Sequence, residues 1–328
     1  MGKPKKRSRL ASRMTTPLLD LLMLPLLLPS ALVMKTVRRM GLQRMTMCRA
    51  LLVYLGVLPI KRHYYEPYLD QSLLRRPLSE PRALPGIDWN IPEQLAFLDS
   101  LRCEAELAQI TPDITTRSKE PFSFYIHNGQ FEGGDAEYLY QFLRLKKPRR
   151  FVEIGCGNTS LIARYALQRN RAEGFECVHT CIEPYEAAWL EQAGFKVLRQ
   201  KVEEVDRAFF QELEPGDLLF IDSSHTIRPQ GDVLALYLEI LPTLKPGVYV
   251  HIHDIFTPRY YPNGYLLERM WMWNEQYVLE SFLTHNKTWK ILGTLNLLRH
   301  DHYDALKRAC PFMTQNCEPG SVYLQRIA

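Results

Sequence analysis

The sequence is short of several things that would fix a function quickly. Its seven cysteines are odd in number and none pair as CxxC. Cys177 and Cys181 are four apart and Cys310 and Cys317 seven apart, and neither spacing matches a cysteine zinc site, so reduced, mostly buried thiols are expected. No internal repeat is visible, which argues against a solenoid or propeller. No apolar run reaches the roughly 20 residues that span a bilayer. The longest, residues 21–34, is 14 residues long, starts after Asp20 and contains Pro25 and Pro29. No small-x-small cleavage site follows it, so a removed signal peptide is not favoured.

Positive charge is also scarce where it would matter for nucleic acid. The net charge of +5 is the sum of two unlike parts. Residues 1–62 hold 13 Lys/Arg and the single acid Asp20, or +12, whereas the rest has 28 basic and 35 acidic residues, or −7. A mildly acidic body does not seek phosphate backbones, so no nucleic-acid partner is expected. The basic residues of the arm (Lys3, Lys5, Lys6, Arg7, Arg9 and Arg13, then Lys35, Arg38, Arg39, Arg44 and Arg49) flank the apolar run on both sides. A single span would leave one flank on the wrong side. Residues 1–62 therefore read as a monotopic or re-entrant arm on a membrane surface, with basic groups on anionic head groups. A signal anchor, a helix pair packed on the body, and a later start at Met14, Met34 or Met40 are the other readings.

With 46% hydrophobic and 23% charged residues over 328 positions, the rest has the composition of a globular protein with a large core. Residues 63–120 form an accessory segment, Pro-broken at first, then helical over 91–110 with Leu95, Leu98, Leu101, Leu107 and Ile110 in one stripe. Residues 121–328 form the main domain. Residues 122–126 read as extended, a polar loop with His127 and Asn128 follows, and a helix begins at Asp135.

The most informative stretch is Phe151-Val-Glu-Ile-Gly-Cys-Gly-Asn-Thr-Ser160. It reads as a buried strand, a glycine turn that lets the backbone approach a ligand, and a helix start capped by Asn158, Thr159 or Ser160. Ser160 stands where the dehydrogenase fingerprint has its third glycine, which weakens a dinucleotide reading. Further strands are expected at 177–182, 195–198, 217–221, 248–253, 289–295 and 322–326, and further helices at 229–241 and around 271–283. Strands alternating with helices predict a doubly wound, mostly parallel sheet with its site beyond the carboxyl ends of the strands. Glu153, Gly155, Glu183, Asp222, His225, His253 and Asp254 all fall at or just after strand ends. An acid such as Glu183 suits ribose hydroxyls, although it lies 28 residues after Gly155 rather than the usual 20 or so. Glu203 is placed to meet an adenine. His251, deeper in its strand than His253, reads as a satisfied core histidine.

Together, Glu153-x-Gly-x-Gly-x-x-Ser160, Glu183, the run 217–222 and the run 244–254 resemble the class I S-adenosylmethionine-dependent methyltransferases, and most closely the branch with macrocin-type sugar O-methyltransferases. The resemblance spans residue 122 to the end. It implies a Rossmann-like seven-stranded sheet with an antiparallel last strand, and S-adenosyl-L-methionine as cofactor. Glu153, Gly155, Gly157, Asn158, Thr159 and Ser160 would cradle its methionine part and Glu183 its ribose, with Asp222 and Ser223 completing the cofactor side. In metal-dependent members the places of Asp222, His253 and Asp254 hold a divalent cation. An imidazole at 253 suits manganese, iron or zinc better than magnesium. His225, with Asp222 beside it, is the expected general base. His127, Asn128, Tyr260 and Tyr261 are the expected acceptor contacts.

The expected reaction is O-methylation of a sugar or glycan-precursor hydroxyl. Because the cofactor is cytoplasmic, the body should work at the inner face of the cell membrane. The rivals are an NAD-dependent oxidoreductase, an iron- and oxoglutarate-dependent hydroxylase, which normally sits on a jelly roll, and an inactive membrane-tethered binding module.

Overall fold

The structure is a computed structural model that describes residues 9–101, 104–116 and 122–328. Lys3, Lys5, Lys6 and Arg7 lie outside the described residues. The chain divides into two compact units, Met1–Leu74 and Arg75–Ala328.

The first unit is dominated by α1 (Arg9–Met40), followed by α2 (Thr46–Leu55), which ends on Gly56 in the left-handed region at φ 67°. Here the structure corrects the sequence reading. Pro17, Pro25 and Pro29 sit inside α1 without ending it. Thr16–Met40 is a 25-residue helix with a mean hydropathy of 1.9 over its most apolar window, long and apolar enough to cross a membrane. A proline removes one N–H and crowds the preceding turn, yet it does not forbid helix in an apolar setting. Leu26, Leu27 and Leu28 point around the helix axis and all stand exposed, so this helix is apolar all round.

The second unit holds the expected sheet. Its strands are β1 (Arg150–Ile154), β2 (Val178–Ile182), β3 (Lys196–Leu198), β4 (Leu218–Ile221), β5 (Tyr249–Ile252), β6 (Trp289–Thr294) and β7 (Val322–Arg326). Their spatial order is β3-β2-β1-β4-β5-β7-β6. β1 to β5 run parallel, and β7 inserts antiparallel between β5 and β6. The order reverses between β1 and β4, so a crevice opens at their carboxyl ends.

Both sheet faces are covered, as continuous apolar strands require. On one face Phe151, Phe220 and Tyr323 pack under α5 (Asp135–Lys146) and α6 (Asn158–Ala172). On the other, Val152, Ile154, Leu219 and Val250 meet Phe210, Leu236, Tyr237 and Leu279. Phe210 comes from α7 (Arg207–Gln211), and Leu279 from α9 (Glu275–Leu283).

Several helices differ from expectation in detail. The helix expected over 91–110 is two, α3 (Ile91–Ser100) and α4 (Glu104–Thr115), because Leu101 turns extended into the core. The side chain of Ile110, the last of its expected stripe, lies outside the described ones. The helix expected over 229–241 is one α turn, α8 (Asp232–Ala235), then a π turn (Leu236–Ile240) and a 3-10 turn (Leu241–Thr243). Pro242 has no N–H with which to continue an α ladder. Residues 122–126 join no strand: Phe122 turns in the left-handed region (φ 63°) and Ile126 bends, although Phe124 and Ile126 are buried. The last two helices, α10 (Leu295–Asp301) and α11 (Tyr303–Ala309), fill the loop between β6 and β7.

The first turn of α5 buries two acids. The Glu137 carboxylate accepts N–H bonds from Gly134 (2.9 Å) and Phe312 (2.6 Å), yet burial still pushes its pKa up to about 7. Burial likewise pushes Asp135 up to about 6. An acid whose pKa is raised on folding holds a proton that the unfolded chain has released. Stability must therefore fall as pH rises from about 4.5 to 7, and the penalty is absent below that window. In urea denaturation, Glu137→Gln should flatten this decline by on the order of 3 kcal/mol, while lowering stability at every pH because the amide keeps only one oxygen for its two backbone N–H partners. A decline of unchanged slope would show that Glu137 does not cause it.

Candidate active site

The crevice is built from strand exits stitched side by side. Gly155 N–H donates to Ile182 O (3.1 Å), Asp222 N–H to Ile154 O (2.9 Å), His253 N–H to Ile221 O (2.8 Å) and Glu183 N–H to Leu198 O (3.1 Å). Each bond carries the ladder one residue past the strand, so four loops leave from one line. Above them lies a cavity of about 1010 Å³, at the upper end of the roughly 300–1,000 Å³ usual for ligand pockets.

Gly155 is required here for two reasons. Its φ is 74°, in the left-handed region. A Cβ on it would also stand 2.1 Å from Asp222 O. Gly157, with extended φ and open space around it, makes no such demand. Gly157 then leads into α6, whose first residues Asn158 and Thr159 line the cavity, so a helix N-terminus that suits a negatively charged or polar group stands at its edge.

Of the residues expected to hold a cofactor, Gly155, Gly157, Asn158, Thr159, Glu183, Glu203, Asp222 and Ser223 line this cavity. Glu183 is pinned: one carboxylate oxygen accepts N–H bonds from Tyr185 (2.9 Å) and Glu186 (2.8 Å). Glu153 and Ser160 do not line it. Ser160 is buried and accepts the Gly157 N–H at 3.2 Å, a capping role. Glu153 is fully buried under the floor, where it accepts from Thr159 and pairs with His179 Nε2 at 2.7 Å. Burial alone would lower His179, but hydrogen bonds with Cys181 and Glu153 hold it up to about 9.

The expected acceptor contacts fare less well. Asn128 clasps its own loop, accepting from Gln130 and Phe131 N–H and donating to Tyr125 and Phe131 O. His127 is exposed on the rim, edge-on to Tyr125. Their neighbours Gly129, Gln130 and Phe131 line the cavity instead. Tyr260 packs beneath the Arg82 guanidinium, which lies 4.5 Å from its ring centre, outside the cavity. Tyr261 is fully buried, its hydroxyl accepting from Gln276 N–H at 2.9 Å. The aromatic wall is Tyr265, Trp271 and Trp273, with the two tryptophans stacked at 4.3 Å. The helix expected around 271–283 starts only at Glu275, which leaves these tryptophans in a loop that faces the cavity.

At the centre stands an imidazole among acids. His225 Nε2 lies 3.1 Å from Asp222 and 3.6 Å from Asp254, and its Nδ1 is 2.8 Å from Glu275. Glu275 also accepts from Ser223 Oγ at 2.7 Å, and Trp273 packs 4.2 Å from the imidazole. Burial opposes charge on His225, but its bonds to Asp222 and Glu275 outweigh that and raise its pKa well above the ordinary value. Burial likewise opposes the Asp222 carboxylate, yet His225 holds it below its usual range, while burial raises Asp254. His225 (φ 56°) and Asp254 (φ 55°) both sit in the left-handed region, which costs non-glycine residues of order 1 kcal/mol each.

The donor atoms of Asp222, His225 and Asp254 lie within 4.8 Å of one another. Two carboxylates and an imidazole fit a divalent cation such as manganese, iron or zinc. His253, expected as the third ligand, instead points its Nδ1 at Ser321 Oγ (3.4 Å), which in turn donates to buried Asp135. His251 is in the core as expected but is not satisfied: neither ring nitrogen has a hydrogen-bond partner among the described residues, and burial drives its pKa well down. Sequence reasoning missed Glu275, Trp271 and Trp273. The pair of tryptophans two apart after a glycine-containing loop was the one available signal, and nothing local marked Glu275.

Comparison with known proteins fits this geometry. Residues 152–255 match the family model described as a methyltransferase domain. An uncharacterized protein of Archaeoglobus fulgidus is 30% identical over 182 residues, covering 52% of this chain and 78% of its own length. The chain carries a methyltransferase domain over residues 152–255 and belongs to one family with the archaeal protein. Solved structures show looser likeness. An O-methyltransferase from Bacillus cereus bound to S-adenosylhomocysteine is 12% identical with a TM-score of 0.36, covering 70% of this chain and 90% of its own. A methyltransferase described as putative from Thermobifida fusca is 11% identical with a TM-score of 0.35, covering 76% and 96%. The methyltransferase assignment rests on the matched domain, not on these superpositions.

Gly155→Ala should weaken the fold by about 2–4 kcal/mol, from the forced conformation and the overlap with Asp222 O, whereas Gly157→Ala should cost under about 1 kcal/mol. Guanidinium denaturation of the two variants tests this. Equal losses would mean that the close approach at Gly155 is not the constraint described.

Proposed function

We propose that this chain transfers the methyl group of S-adenosylmethionine to a hydroxyl oxygen of a sugar or glycan-precursor acceptor. The observation that carries this reading is the cavity's two unlike halves. One holds Glu183, Glu203 and the glycine turn; the other holds the aromatic faces of Tyr265, Trp271 and Trp273. They meet at the Asp222–His225–Asp254 cluster.

The sulfonium methyl is already activated, so the protein must align an acceptor oxygen and take its proton. Glu183 is preset by two backbone amides to accept from ribose hydroxyls. Glu203 stands further along the same wall for the adenine. The stacked tryptophans offer flat faces to the C–H side of a sugar ring. His225 is the base, on one condition set by the geometry. Its ring nitrogens are both engaged and it holds a proton, which must first pass to Asp254, whose carboxyl pKa burial raises, rather than to Asp222, which is held below its usual range. Asp222, His225 and Asp254 are also the residues that would hold a divalent cation, which would polarise the acceptor oxygen.

Residues 1–62 place this chemistry at a membrane in the same proposal. The all-round apolar face of α1 and its basic flanks support association with the cytoplasmic leaflet, on the side where the cofactor is made.

In calorimetry, S-adenosylmethionine should bind, and Glu183→Ala should weaken it roughly 10- to 100-fold, the worth of a charge-assisted hydrogen bond. His225→Ala should keep cofactor affinity and lose transfer of labelled methyl to glycan extracts. If label went instead to protein or nucleic acid, the sugar assignment would be wrong.

A further inference from the structure

We propose that Glu153, His179 and Cys181 form a zinc site, buried beneath the glycine turn. Parallel pairing sets the three donors. Glu153 and Cys181 are register partners on β1 and β2, and His179 is two residues before Cys181, on the same sheet face. The side chains of Glu153 and Cys181 are fully buried and that of His179 nearly so.

The three donor atoms lie within 4.8 Å of one another, close enough to share one cation. Glu153 Oε2 to His179 Nε2 is 2.7 Å, Glu153 Oε2 to Cys181 Sγ 3.9 Å, and His179 Nε2 to Cys181 Sγ 3.7 Å. A point equidistant from the three lies roughly 2.0 Å from each, against zinc bond lengths of about 2.0–2.3 Å. One carboxylate, one imidazole and one thiol are a donor set that favours zinc over magnesium or calcium.

The surroundings are those of held ligands. The Thr159 hydroxyl donates to the other Glu153 oxygen and fixes the carboxylate. Phe151 stacks on the His179 ring at 4.5 Å, and Phe195 meets it edge-on at 5.4 Å. Cys156, between the two glycines of the turn, stands outside this set, its Sγ against the backbone carbonyls of Glu153 (3.4 Å) and Ile182 (3.9 Å). On binding, zinc displaces the Cys181 thiol proton and the His179 Nε2 proton to solvent. The site is buried between two strands, so the role is structural: zinc ties β1 to β2 beneath the turn. This inference stands apart from the acceptor assignment, since it needs no substrate.

The test is metal analysis of the purified full chain, with added zinc followed by exhaustive dialysis. About one zinc per chain should be retained by the parent and by Asp254→Asn. Cys181→Ser should keep less than about a tenth of it. Because a buried substitution can unfold the chain, the parent protein is also loaded with cobalt(II). A near-ultraviolet thiolate-to-cobalt band with intense visible bands is expected. A parent chain that retains no zinc, cobalt spectra without a thiolate band, or zinc lost from Asp254→Asn but kept by Cys181→Ser would each overturn the proposal.

Discussion

The contact that the rest depends on is the approach of the backbone at Gly155 to the carbonyl of Asp222. β1 and β4 are neighbours at the point where the strand order reverses, and their exits are bonded through Asp222 N–H and Ile154 O. There is no room for a side chain between them. That closeness flattens the floor of the crevice and sets the start of α6 at its edge. It also sets Asp222 beside His225 and within reach of Asp254. A bulkier residue at 155 would push β4 outward and move the acid cluster with it.

The cluster itself is a balance of opposed costs. Three buried or half-buried carboxylates would repel one another and resist losing water. The His225 imidazole sits among them and offsets part of that cost by holding a proton. The same arrangement explains why two residues tolerate left-handed backbone: the partners on all sides determine the conformation more strongly than local preference does. Any cation at Asp222, His225 and Asp254 would compete with that proton for the same place. Proton transfer and metal binding at this site are therefore linked.

Much of the fold was legible because strand and helix periods are local properties. The seven strands and the glycine turn were read from short apolar runs and their punctuation, while the antiparallel direction of β7 came from the family resemblance. Strand ends also gave away Glu183, Asp222, His225 and Asp254. What was not legible came from elsewhere in the chain. Glu275 reaches His225 from 50 residues away, and only the packed sheet brings them together. Glu153 looked like a cavity residue by position, but strand alternation points it at α6 rather than into the crevice. Tyr260 and Tyr261 were named for their chemistry, and burial and a cation–π contact took them out of the site. In α1 the prolines suggested a break that an apolar helix of this length does not need.

Under the proposed function the arm and the body ask for different things, an apolar surface for one and S-adenosylmethionine for the other. The central claim lies with the body and is most directly tested by a crystal structure with S-adenosylhomocysteine. The account places the amino-acid end over Gly155–Gly157 and both ribose hydroxyls on Glu183, with the sulfur facing the Asp222–His225–Asp254 cluster. A ligand bound elsewhere, or with its sulfur turned away from that cluster, would contradict it.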